Sequence, residues 1–393
     1  MRSLRITLVA LAAGTSVGFA QAPRQIRLKP ATAELNEEFT AIGSVRELPD
    51  GRVLINDPRE TRVVVADLKA GTVQQIGRKG QGPNEYGAAA NLLALGGDST
   101  LMVDGSTHRW VLFSGAAIAV TLPPDAPILK AAKTFARGAD ARGNVWSLQS
   151  SSFLANLDPQ HMRTGTTTTG PSDSDYVVRA NRVTFKVDTV ASLRSAVSRV
   201  SVTADAQGKL ANVSVMRPPL AVGEEAVLFA DGWFAVARLN PYRVDWISPE
   251  AKVSKGQPLP VTPIKSTKAE KDAYFERQQA AQAAGRSGGG GARPPDLQRQ
   301  LDALRDLFPD EFPPFTNGLI AGGDGNLYLR HPISMDYLDY RYDIVDRRGK
   351  LIGVLAMGKN ERLVAVTKTA VYVVWKDADD IERLRRHPPI PGG

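Results

Sequence analysis

Residues Phe39 to Tyr86 read FTAIGSVRELPDGRVLINDPRETRVVVADLKAGTVQQIGRKGQGPNEY, and this stretch decides the fold. It holds four short apolar runs separated by turns. The first, Ala41 to Leu48, ends at Pro49-Asp50-Gly51, where proline presets φ and glycine accepts a positive one. Val53-Leu54-Ile55 follows, then the polar loop Asn56 to Thr61, the run Val63 to Ala66, a turn at Ala70-Gly71, and a last run Thr72 to Ile76. The second and third runs are apolar at consecutive positions. A sheet with one wet face would alternate, so these strands are expected to be covered on both faces. Four antiparallel strands covered on both sides by copies of themselves form a propeller blade.

The unit recurs. Turns like Asp50-Gly51 return at Gly97-Asp98, Arg142-Gly143-Asn144, Asp231-Gly232, Asp324-Gly325-Asn326 and, less clearly, Lys368-Thr369. Each is followed by an apolar run: Leu101 to Val103, Val145-Trp146, Trp233 to Val236, Leu327 to Leu329 and Val371 to Trp375. The count predicts an all-β, six-bladed β-propeller over residues 23–393. Two intervals are about twice the others. The first holds a Thr-rich polar loop, Ser150 to Asp175, and a hairpin-like piece around Ala206-Gln207-Gly208; both read as insertions, with a seventh blade as the alternative. The last unit shows three runs, ending at Ile381 to His387, so Ile26 to Leu35 is expected to supply the outer edge of the last blade and close the ring.

The second long interval contains a helical, Gly-rich insertion, residues 262–316, between blades 4 and 5. Thr267-Lys268-Ala269-Glu270 fits a capping box that opens a helix to about Ala284, stopped by Gly285. Ser287 to Gly291 reads as a flexible linker, and Asp296 to Phe308 as a second helix ended by Pro309. The insertion is expected on the propeller face that carries the crossovers between blades. It reads there either as a lid or docking arm or as a tolerated surface loop.

At the amino terminus, Arg2 and Arg5 precede an apolar stretch from Ile6 to about Phe19, then Ala20-Gln21-Ala22. Too short to span a bilayer and followed by small residues, residues 1–22 read as a secretory signal peptide, which implies an exported, periplasmic or extracellular protein. Pro23 makes cleavage after Ala20 a competitor of cleavage after Ala22. There is no cysteine, hence no disulfide and no lipid-anchoring cysteine. No later stretch is long enough to span a membrane. The formal charge of +8 is spread among interspersed acidic and basic residues, with no basic run carrying interleaved aromatics, so nucleic-acid binding is not expected.

The segment Ile76 to Tyr86, IGRKGQGPNEY, followed by Leu101 to Asp104 and His108 to Phe113, resembles NHL-type repeats. More broadly the chain looks like the exported bacterial six-bladed, TolB-like propellers. Tyr242-Arg243-Val244-Asp245-Trp246 and Tyr342-Asp343-Ile344-Val345-Asp346 have the look of later blades in that group. Ala88-Ala89-Ala90 departs from it where NHL repeats usually carry a proline. The resemblance implies a ring whose function varies, from lyases and lactonases to receptors and inert scaffolds.

Candidate chemistry is sparse. The loop Gly77 to Pro83 looks like a phosphate cradle, but a strand is expected after it where such a cradle needs a helix, so it reads as a crossover needing glycine for its backbone angles. The four histidines, His108, His161, His331 and His387, show no metal-binding spacing, and no nucleophile elbow is present. Asp57, Asp104 and Asp346 sit at strand ends, where capping a turn is the usual job. No catalytic, cofactor or metal residue is assigned. The expected binding residues all fall on the crossover face: Arg78, Lys79, Gln81, Glu85, Tyr86, His108, Arg109, Arg238, Tyr242, Arg330 and His331. The reading is a non-catalytic binding or scaffold module for a protein, peptide or glycan. The alternative, taken from the resemblance, is a lactonase- or lyase-like enzyme with a divalent metal in the central channel, for which His331, Arg330 and His108 are the first residues to consider.

Overall fold

The computed structural model describes residues 23–132, 135–150, 165–169, 174–204, 210–261, 264–284, 302, 304–332 and 340–391. The expected signal peptide, the linker Ser287 to Gly291 and His161 lie outside them. Six antiparallel sheets make the six blades. From the axis outward, blade 1 is Ser44–Glu47, Val53–Asp57, Arg62–Asp67 and Thr72–Gln75. Blade 2 is Leu92–Gly96, Ser99–Asp104, Arg109–Ser114 and Ala117–Leu122. Blades 3 and 4 begin with Gly138–Ala139 and Glu225–Leu228, and blades 5 and 6 with Ile320–Ala321 and Glu361–Val366. All six turns read from the sequence join a blade's innermost strand to its second, as Asp50-Gly51 does between Glu47 and Val53.

The consecutive apolar runs are explained by packing on both faces. Val53 and Ile55 enter a core shared with blade 6, while Leu54 between them enters the core shared with blade 2. Val64 and Ala66 take the first side, Val63 and Val65 the second. Each strand therefore serves two cores with alternate residues, and the hydrophobic contribution of about 25 cal/mol per Å² accrues on both sides of every sheet.

Ring closure differs from the expectation in one respect. Ala33–Glu34 does form the outer strand of blade 6, antiparallel to Glu382–His387, and Leu35 is fully buried beneath it. Gln25–Arg27, however, runs parallel to Leu351–Ala356 and becomes a fifth strand of blade 5. The segment is divided because Pro30 lies between the two pieces. Proline has no N–H to give a ladder, and its fixed φ turns the chain from one blade edge to the next.

The two insertions in the first long interval do not make a seventh blade. Gly165–Thr169, from the Thr-rich loop, pairs with Ser198–Ala204, which pairs with Leu210–Met216, giving a separate three-stranded sheet. In the second interval the helix spans Lys268–Ala284. Its capping box is formed: Thr267 Oγ1 accepts the Glu270 N–H at 3.2 Å, and Glu270 Oε2 accepts the Thr267 N–H at 2.8 Å. Of the expected second helix, residues 304–306 are helical and the greater part lies outside the described residues. Phe275, Phe308 and Phe312 give the insertion its own small core. Its two ends are joined at the base, where the Ser266 N–H donates to the Asp310 carbonyl at 2.8 Å and the Ser266 hydroxyl to the Pro309 carbonyl at 2.6 Å.

Candidate functional site

The innermost strands are unequal. They run for 5 residues in blade 2, 4 in blade 4, and only 2 in blades 3 and 5. In blade 3, Gly138–Ala139 covers the second strand only at Trp146 and Val145, so Leu148 further along has no inner neighbour in the sheet. Gly138 is required there: a Cβ would collide with the Trp146 indole. The space left by the short strands is a cavity of about 660 Å³, walled by Val103, Phe135, Trp146, Leu148, Val227 and Leu319 among others. Ala90-Asn91, Phe135 to Arg137, Glu224 and Gly318-Leu319 all stand at the start of innermost strands and line it. In an antiparallel meander those starts belong to the face that carries the crossovers. The cavity is thus the mouth of the central channel on that face.

Two carboxylates enter this wall. Glu224 is buried and already paired: its Oε2 lies 2.6 Å from Arg238 Nη1, and Arg238 Nε lies 3.0 Å from Asp245 Oδ2. Glu225 Oε2 accepts the Gly318 N–H at 3.2 Å. Removal from water pushes the Glu225 carboxyl above its ordinary range, against the Gly318 and Leu319 N–H groups and the Arg330 and Arg137 guanidinium charges that pull it down. Arg330 is itself placed by Thr316, whose Oγ1 accepts from Arg330 Nε at 2.9 Å. Trp146 is 5% exposed, and its Nε1 has no hydrogen-bond partner among the described residues.

The residues expected from the sequence fall into three groups. One holds together the crossover between blades 1 and 2. Arg78–Lys79 pairs in parallel with Glu85–Tyr86, so a short strand follows the glycines where a phosphate cradle would need a helix. Glu85 accepts from the Gly82 N–H at 2.8 Å and from Arg78 at 2.7 Å, and these bonds hold its carboxyl below the usual range. Arg109 donates to the Gln81 carbonyl at 3.0 Å and to Thr107 Oγ1 at 2.8 Å, and meets Asp104 at 3.4 Å. Tyr86 is a correction: it is fully buried, its hydroxyl accepting the Val63 N–H at 2.9 Å and donating to the Ile76 carbonyl at 2.8 Å. That side chain is part of the core and closed to a ligand. Lys79 and Gln81 are exposed.

The second group is a buried cluster at the seam of blades 4 and 5, and it corrects the expectation for Tyr242 and His331. His331 is 2% exposed and Tyr242 6%. His331 Nε2 lies 2.9 Å from Arg341 Nη2; a guanidinium only donates, so Nε2 accepts and the ring proton sits on Nδ1, 3.6 Å from Asp343 Oδ2. Tyr242 donates to the same Asp343 oxygen at 3.2 Å, and burial with that carboxylate raises its phenol well above the ordinary value. These groups lie inside the wall against one another, although His331 Nδ1 and Arg341 Nε have no hydrogen-bond partner among the described residues.

The third group surrounds the cavity: Arg238 beneath Glu224, Arg330 beside Glu225, and exposed His108, whose ring meets Phe135 edge-on at 5.8 Å. Sequence reasoning missed Glu225, Trp146, Phe135 and Arg137. The one local signal was the pair Glu224-Glu225 at the head of an apolar strand. The strand-end carboxylates behave as expected: Asp104 caps its loop through the Thr107 N–H and hydroxyl and also accepts the Gly87 N–H of the crossover at 2.8 Å.

For the metal alternative, no group of three His, Asp or Glu among the described residues is placed to hold an ion. Glu224 is committed to Arg238, and Glu225 alone is a single donor, so the donors among the described residues do not make up such a centre. No helix among the described residues is long and apolar enough to cross a membrane.

No family model matches the chain, and no curated protein matches it. Similarity to solved structures lies in the fold alone. A protein of Bacteroides fragilis is 10% identical with a TM-score of 0.44, over 93% of this chain and 98% of that one. The calcium-binding protein regucalcin of Agrobacterium tumefaciens is 10% identical with a TM-score of 0.35, over 94% of this chain and 97% of its own. Virginiamycin B lyase of Staphylococcus aureus, catalytically inactive and with quinupristin, is 11% identical with a TM-score of 0.33, over 91% and 88%. The chain is a six-bladed β-propeller, and that assignment rests on its own strand pairing.

Proposed function

We propose that this propeller is an exported, non-catalytic binding module that receives a small molecule, or the end of a peptide or glycan chain, in the channel mouth of its crossover face. The observation that supports the reading is the cavity of about 660 Å³, whose wall mixes apolar side chains with polar groups in nearly equal parts. Pockets that take small ligands commonly have about 300–1,000 Å³. Export rests on the amino-terminal pattern of residues 1–22.

The neutral dye N-phenyl-1-naphthylamine tests it. Gly105 lines the cavity, and nothing stands within 4 Å of where its Cβ would be, so Gly105→Trp fills the mouth without disturbing the core. The wild-type protein should bind the dye saturably at one site, and Gly105→Trp should lose that site while melting as the wild type does. Absent binding, or equal binding to both proteins, overturns the reading.

A further inference from the structure

Glu225 is placed by the chain but not paired by it. Its Oε2 takes the Gly318 N–H at 3.2 Å and the Leu319 N–H also acts on the carboxyl, but no ion pair is formed to it among the described residues. Arg137 and Arg330 act on it from beyond ion-pair reach, whereas neighbouring Glu224 is closed off by Arg238 at 2.6 Å. A half-buried carboxyl that forms no ion pair gains from a cation able to reach it. Phe135 and Trp146 line the same space, Phe135 open to it at 52% exposed and Trp146 bordering it with only an edge, 5% exposed.

We infer that the channel mouth selects a primary ammonium group attached to an apolar or aromatic body, with Glu225 receiving the ammonium and Phe135 and Trp146 the body. This rests on the binding reading above and names its ligand class. A carboxylate accepts from ammonium through a charge-assisted bond, and aromatic faces attract the same cation. A neutral alcohol would gain only an ordinary hydrogen bond at Glu225, and an anion would be repelled by it. Arg137 at the rim is exposed and would face the solvent side of an amine, where a carboxylate elsewhere on the ligand could meet it.

The test uses three probes of one shape: 2-phenylethylamine, 2-phenylethanol and 3-phenylpropanoate, titrated calorimetrically into the full chain at neutral pH. The amine should bind about tenfold or more tightly than the other two. In Glu225→Gln, which keeps the acceptor for Gly318, that advantage should vanish while 2-phenylethanol binding is unchanged; Gly105→Trp should abolish all three. Equal or tighter binding of the alcohol or the acid overturns the ammonium assignment and leaves the site standing. So does a preference for the amine that survives Glu225→Gln. Failure of all three probes with dye binding intact also overturns the ammonium assignment alone; failure of probes and dye together overturns the binding reading itself.

Discussion

Removing one oxygen atom from Tyr86 isolates the claim that the Gly-rich crossover is built as structure. Tyr86→Phe keeps a ring that is fully buried, so the hydrophobic term is unchanged. It deletes the hydroxyl that accepts from Val63 N–H at 2.9 Å and donates to the Ile76 carbonyl at 2.8 Å, leaving a donor and an acceptor orphaned in the core between blades 1 and 2. Each buried orphan costs about 1–3 kcal/mol, and the two together about 2–6 kcal/mol. With a urea slope of about 3 kcal/mol per M, the midpoint should fall by about 1 M or more without a change of slope. Circular dichroism in urea reads this, and dye capture in the absence of urea should match the wild type. A midpoint unchanged to within the equivalent of about 0.5 kcal/mol would refute the structural assignment, as would a folded variant that no longer captures dye.

Three further outcomes are expected. Leu35→Ala should lower stability by about 2–5 kcal/mol in chemical unfolding, because Leu35 is fully buried under the closing strand; Ile26→Ala on blade 5 should cost less, being at the sheet edge. Replacing residues 268–307 by a short glycine turn, together with Phe308→Ser and Phe312→Ser so that no buried ring is left bare, should leave the β-sheet spectrum and melting nearly unchanged, since these rings form a core apart from the six between blades and the base is joined at Ser266. The Glu225 carboxyl is pushed up by burial, so its protonated form is favoured by folding: its stability contribution is full below the ordinary carboxylate value and is lost as pH rises through the raised one. Glu225→Gln should therefore match the wild type in acid and be the more stable protein at neutral pH, measured by paired unfolding curves across that window.

The fold was legible because every blade repeats two local signals. A short turn, carrying glycine in all but blade 6, joins its first two strands, and consecutive apolar residues such as Val53-Leu54-Ile55 can only be buried on both sides. The closing strand was half legible: the need for a fourth strand in blade 6 is a counting argument, whereas the division at Pro30 depends on which edge each half meets. The cavity was much less legible. It arises from the shortness of Gly138–Ala139 and Ile320–Ala321, and strand length is set by where neighbouring chain fits, which no single residue reports. Tyr86 and His331 misled for the opposite reason. Polar or aromatic residues at loop ends look like ligand contacts, and only the positions of Val63, Ile76 and Arg341 show that the Tyr86 hydroxyl and His331 Nε2 are turned inward and taken.

The seam that completes the circle joins the first described residues to the last: the Thr32 hydroxyl reaches the Arg386 carbonyl across 354 positions of sequence. A ribosome must therefore finish almost the whole polypeptide before the sixth blade can acquire its outermost member. Until then Leu35 and its surroundings stay uncovered, and the nascent product is an open arc with two raw edges. This order makes residues 24–35 the point at which truncation or disruption would do the greatest harm to assembly.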